Sequence, residues 1–84
     1  MEPSYMNGKG LAEIGHIVMA PGQVRAIVIA ISGTFVKVHG FGTKKENGEV
    51  VVLDWVQDLP ASECVLLEDQ SLSGELKRRL GMFS

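Results

Sequence analysis

Between Gly22 and Gly33 the chain runs through VRAIVIAI, a stretch made almost entirely of Val, Ile and Ala. β-Branched side chains lose rotamer freedom in a helix and pack well on a pleated surface, so this stretch reads as a strand. Alternation puts Val24, Ala26, Val28 and Ala30 on one face and Arg25, Ile27, Ile29 and Ile31 on the other. Both rows are nearly apolar, and a strand of that kind needs cover on both sides. The fold therefore has to supply a second layer on each face, from the chain itself or from another molecule.

The same style of short apolar run recurs as HIVM, FVKVHGF, VVVLDWV and CVLLE, giving five strands with turn residues between them. In APGQ, Pro21 is pre-set for the first central position of a turn and Gly22 is free to take positive φ at the second. SGT turns the chain at Gly33, and DLPASE suits a tight turn or one 3₁₀ turn before the last strand. Residues 1–14, mixing Pro, Gly, Asn and Ser without periodicity, are expected to be a loose lead-in that adds nothing to the core. Residues 15–69 form the β domain and residues 70–84 a tail.

At 84 residues there is room for one domain, which buries only about two thirds of the surface its unfolded chain exposes. No apolar run approaches the roughly 20 residues that span a bilayer, and Met1-Glu2-Pro3-Ser4 does not resemble an export signal. The expectation is a soluble, cytoplasmic chain without membrane association. Cys64 is the only cysteine, which rules out an internal disulfide and a cysteine-based metal site. A net charge of -2 lacks the broad basic footprint of a dedicated nucleic-acid binder, so any such binding needs a local patch.

Asn47-Gly48 between two apolar runs marks a hairpin. A two-residue loop would set Glu46 against Glu49; a loop over residues 45–48 avoids that like-charge pair. Either register places Val36, Val38, Gly40 and Gly42 on a face with Val51, Leu53 and Trp55, with the glycines offering a floor for the Trp55 ring. Phe35, Lys37, His39 and Phe41 share the other face with Val50, Val52 and Asp54, beside a tip that carries Lys44 and Lys45. That mixed aromatic and basic face is the candidate ligand or nucleic-acid surface, through base stacking on Phe35 and Phe41 and charge neutralisation by Lys37, Lys44 and Lys45, with His39 between them.

GHIVMAPGQVRAIVIAISGTFVKVHGFG followed by VVVLDWVQDLPASECVLLE resembles an SH3-like small barrel of the broad Tudor-like or KOW-like type, over residues 15–68. The resemblance implies an all-β, five-stranded barrel, here with a short C-terminal helix, and a binding role toward nucleic acid, modified peptide tails or other proteins. A Tudor-like aromatic cage needs several rings around one point, whereas strand parity sets Trp55 on the face opposite Phe35 and Phe41. The plasmid-type dihydrofolate reductase is a small barrel of this kind that becomes an enzyme by enclosing a pore with four copies; its Val-Gln-Ile-Tyr strand motif is absent from this chain.

No catalytic, cofactor-binding or metal-binding residues are expected. His16, His39 and Cys64 lack metal-ligand spacing, and His39 with Asp54, neighbours across the hairpin, have no nucleophile to serve. In the tail, Leu72, Leu76 and Leu80 recur every four residues, Ser71 or Ser73 can cap, and Gly81 suits a helix stop. The basic trio Lys77, Arg78 and Arg79 falls where a helix favours cations. The sequence thus points to a non-catalytic protein-interaction or homo-oligomerising module, with nucleic-acid binding as the alternative. Its partner face is expected on the outward row Ile27, Ile29, Val50 and Val52, which the tail's few apolar residues cover only in part.

Overall fold

The computed structural model describes residues 2–82. Five antiparallel strands, β1 (Ile17–Ala20), β2 (Val24–Ser32), β3 (Phe35–Thr43), β4 (Val50–Pro60) and β5 (Val65–Leu66), form one sheet in the order β4-β3-β2-β1-β5. A 3₁₀ turn, Ala61–Glu63, joins β4 to β5, and the chain ends in helix α1 (Ser73–Arg79). The all-β class, the five strands and the C-terminal helix are those the sequence predicts. The barrel does not close: β4 and β5 are the two edges of an open sheet.

Each turn follows its local chemistry. Ala20 pairs with Val24, so β1 and β2 are joined by a three-residue loop in which Gly22 takes φ 84°. Gln23, next to it, also sits in the left-handed region at φ 61°, a conformation that is costly for a residue with a Cβ. Ser32 faces Phe35 across a two-residue turn with Gly33 at φ 60°. At the third hairpin the Lys44 amide donates to the Glu49 carbonyl, 2.9 Å, and the Gly48 amide to the Lys44 carbonyl, 2.9 Å. Of the two loops the sequence leaves open, the one over residues 45–48 is formed. It replaces the Glu46–Glu49 clash with an ion pair between Lys44 and Glu49, 3.6 Å.

Two irregularities interrupt the ladders, and the first re-aims a side chain that simple alternation misplaces. The β2–β3 register shifts between Val28 and Ala30, so Ile31 comes to face Val36 and packs in the same cluster as Val28 and Val38. The outward apolar row of β2 consequently shrinks, since a one-residue bulge reverses the facing of everything after it. The β3–β4 register shifts between His39 and Phe41 by an even number of residues, leaving the parity of β4 intact. Trp55 therefore lies where expected, against Gly40: a Cβ there would stand 3.1 Å from the indole Cε3.

The core is split by the sheet. On one face Val18, Ala26, Val28, Val36, Val38 and Cys64 are buried with Tyr5 and Ala12. The N-terminal segment, expected to be loose, is thus a strap across this face. Its Met6 amide donates to the Cys64 carbonyl, 2.8 Å, and the Asn7 side-chain amide donates to the Leu66 carbonyl, 3.1 Å, and accepts from the Leu66 amide, 3.4 Å. Asn7 in this way imitates a neighbouring strand on the free edge of β5, which would otherwise be a template for unwanted pairing.

On the other face Leu76 of α1 is fully buried against Ile17, Ile27, Phe41 and Val50, with Leu72, Leu80 and Met82 around it. The helix stops as its residues demand. Gly81 adopts φ 69°, its amide donates to the Arg78 carbonyl, 3.2 Å, and the Met82 amide to the Lys77 carbonyl, 2.8 Å, the paired closure of a Schellman motif. Leu72 occupies the N-cap position and no side chain caps the helix; Ser73 instead donates its hydroxyl to the Gly15 carbonyl, 2.5 Å. Phe83, a further apolar residue of the tail, lies outside the described residues. Among the described residues no helix is long and apolar enough to cross a membrane.

Candidate contact surface

The ten residues singled out in the sequence divide into buried and exposed sets. Ile27 and Val50 are part of the core beneath α1, and Ile29 and Val52 are half-buried at its margin. Seven helical residues thus cover most of a row that the sequence left open for another molecule. The tail succeeds because the β2 bulge removes Ile31 from that row, leaving less surface to hide.

The aromatic and basic face is also dismantled. Phe41 is only 3% exposed and lies beneath the Arg25 guanidinium, 5.2 Å from ring centroid to carbon, so it offers no platform for a base. Arg25 is itself held by donating to the Thr43 hydroxyl, 3.1 Å. His39 Nε2 donates to the Leu53 carbonyl, 2.7 Å, which carries the proton on that nitrogen and pins the ring over the irregular part of β4. Its cross-strand partner is Val56, and among the described residues His39 makes no ion pair with Asp54. Lys44 is paired with Glu49, and Lys45 is exposed at the hairpin tip. Phe35 sits at the opposite end of β3, nine strand positions or roughly 30 Å from Lys44. The six residues do not form one surface.

The basic trio of the helix is likewise occupied. Arg78 and Arg79 both donate to Glu75, at 2.7 and 3.0 Å, and hold its carboxyl below the usual range, Arg79 most. Lys77 lies across Gly15, where its side chain takes the space a Cβ would need.

What remains open is the far end of the helix-bearing face. There β2, β3 and β4 present three rows: Ser32, Phe35 and Pro60; Ala30, Lys37 and Asp58; then His39 and Val56. Phe35 is 49% exposed and Val56 45%, and a depression of about 200 Å³ lies beside Phe35, between Ala30 and Asp58. Lys37 and Asp58 face each other as cross-strand partners and are both exposed. Among the described residues neither makes an ion pair or a side-chain hydrogen bond, although opposite charges stand in adjacent strands.

A polar cluster that the sequence did not reveal lies under the strap. The Tyr5 hydroxyl and His16 Nδ1 share a hydrogen bond of 2.9 Å, and His16 Nε2 faces the Glu13 carboxylate at 3.5 Å. Burial pushes the Tyr5 hydroxyl up to about 12, a Glu13 backbone hydrogen bond opposing the shift. A buried hydroxyl in this setting anchors the strap and is closed to substrate. Burial likewise raises the Cys64 thiol. No group of three or more His, Cys, Asp or Glu side chains suited to a metal ion occurs among the described residues. Tyr5 gave no sequence signal because its partners Glu13 and His16 belong to no period it shares.

Comparison with protein-family models, curated proteins and solved structures finds no match for this chain.

Proposed function

We propose that this chain is a non-catalytic protein-contact module, soluble and cytoplasmic, whose working surface is the part of the helix-bearing sheet face that α1 leaves uncovered. The observation that supports it is the exposure of Phe35 and Val56 around Lys37 and Asp58, in a domain whose other large side chains on that face are packed beneath the helix. An aromatic and an aliphatic side chain on either side of a charged pair can serve as a contact patch, with the apolar groups supplying affinity and the charges orientation. Self-association is one form such contact takes. The nucleic-acid alternative is less well supported, since Phe41 is buried and Lys44 is paired with Glu49, which leaves Phe35 as its one exposed ring.

The test is a photo-crosslinking amino acid placed at position 35 of the full chain, with position 45 as control, irradiated both in the purified protein and in a cell extract. Crosslinks to protein from position 35 in either setting, and few from position 45, support the reading. Equal labelling from both positions, or none from position 35, removes it.

A further inference from the structure

We infer that the free edge of β4 pairs antiparallel with β4 of a second copy, about a two-fold axis that stands perpendicular to the sheet at Gln57. This surface goes beyond the proposed contact patch: Phe35 faces out of the sheet, whereas the edge is main chain at its margin. The two edges of the sheet differ. β5 is two residues long and Asn7 bonds to it. β4 is the longest strand, with eleven residues, and among the described residues no backbone hydrogen bond from outside the sheet reaches it.

One bond tells which peptide groups of β4 stand free. Phe35 faces Pro60, and just beyond that pair the Ala61 amide donates to the Thr34 carbonyl, 2.9 Å. Phe35 and Pro60 are therefore a pair without mutual hydrogen bonds. Such pairs alternate along an antiparallel ladder, so Lys37 with Asp58 and His39 with Val56 are of the same kind. The amides and carbonyls of Val56 and Asp58, with the carbonyl of Pro60, thus point away from β3. Toward the other end the ladder breaks between Val52 and Val56, which confines this regular free stretch to residues 56–60.

The residues themselves choose the register. Residues with outward groups must meet one another across a new antiparallel ladder, so the axis falls at a whole residue. At Val56 it would set Asp54 against Asp58 of the other copy, twice. At Asp58 it would set two aspartates face to face, and there or at Leu59 the ladder would need an amide that Pro60 lacks. At Gln57 none of these faults arises. Val56 then meets Asp58 of the other copy, exchanging both main-chain bonds, and the symmetry repeats the exchange. Gln57 meets its own counterpart, each side-chain amide able to donate to the other. Trp55 comes beside Leu59 on the strap side, where both are half-buried, and Asp54 meets Pro60 instead of an acid. Acids and a proline that guard this edge against most strands thereby select one. The helices do not interfere: α1 lies at the Phe41 and Val50 end, and antiparallel pairing sends the two copies of it to opposite ends of the joined sheet.

The experiment is sedimentation equilibrium of the full chain over about 5 to 500 μM, comparing wild type with Gln57→Lys, Gln57→Glu, an equimolar mixture of these two, and Asp58→Pro, with thermal melts to confirm folding. The expected wild-type result is a concentration-dependent dimer. Either Gln57 change alone puts like charges face to face on the axis and weakens the dimer about fivefold, and the mixture, which pairs opposite charges there, recovers to within about twofold of wild type. Asp58→Pro removes an amide that points away from β3, so it spares the protomer's own ladder and weakens the dimer about tenfold or more. Should that variant fail to fold, the Gln57 changes, at an exposed position, decide the matter. A monomeric mass throughout overturns the inference, and so does a dimer indifferent to Gln57 or not recovered on mixing. Crosslinks from position 35 to some other protein, with a monomeric mass, would leave the contact-module reading standing and remove only the edge pairing.

Discussion

Replacing Leu76 by Ala tests whether α1 is part of the folded domain or an appendage resting on it. Leu76 is fully buried against Ile17, Ile27, Phe41 and Val50, and is among the largest buried side chains in the molecule. Losing three carbon groups forfeits about 2.4 kcal/mol of transfer free energy at roughly 0.8 kcal/mol each. A cavity term follows to the extent that the surrounding side chains cannot close in, and buried Leu→Ala changes span about 2–5 kcal/mol in all. Here Ile27 and Phe41 are held by sheet pairing and cannot follow the helix, so we expect about 3 kcal/mol. For a domain of this size that lowers Tm by roughly 12–24 °C. Urea denaturation followed by circular dichroism measures the free energy, and the unchanged slope expected for the same buried surface checks that the folded state is intact. Leu80→Ala, at a half-buried position, should cost clearly less. A loss below about 1 kcal/mol for Leu76→Ala would refute the docked helix, and with it the account of why Ile27 and Val50 are closed to partners.

Two further outcomes follow from local geometry. Gln23→Gly should raise stability by about 0.5–1 kcal/mol, because the side chain is held at φ 61° where glycine is unstrained; a lower denaturation midpoint would show that the Gln23 side chain holds the turn together. The chain has a single tyrosine, so its ultraviolet absorbance reports Tyr5 alone, and half-ionisation should come near pH 12 instead of 10. Since the folded state retains the proton longer than the unfolded one, this contribution is complete below about pH 10 and is lost as pH rises through about 12. Tyr5→Phe should remove that alkaline dependence and cost about 1 kcal/mol at neutral pH through the lost bond to His16; ionisation at an ordinary pH would mean the strap is not docked.

What residues settle among near neighbours was legible in the sequence. Pro21-Gly22, Gly33 and Asn47-Gly48 each form a turn where they stand, since positive φ is a property of one or two residues. The leucine spacing and Gly81 specify α1 and its Schellman closure, and strand parity sets Trp55 against Gly40. Even the choice between two hairpin loops turned on a pair of charges visible in the sequence.

Tertiary structure decided everything that depends on which distant residues meet. The β2 bulge arises where two strands must reconcile their registers, and it moves Ile31 from one face to the other without any change in composition. Whether five strands close depends on how β4 and β5 end up relative to one another; here they remain edges, and Asn7 supplies to β5 the bonds a further strand would have made. Tyr5 is core because a strap with no periodicity of its own finds a groove floored by Val18, Val28 and Cys64. The exposed surface around Phe35 and Val56 is likewise a remainder, the part of that face left when a seven-residue helix has covered all it can reach. Alternation along a strand tells which side chains share a face, but covering that face is a matter of long-range packing, and packing is settled only when the whole chain has folded.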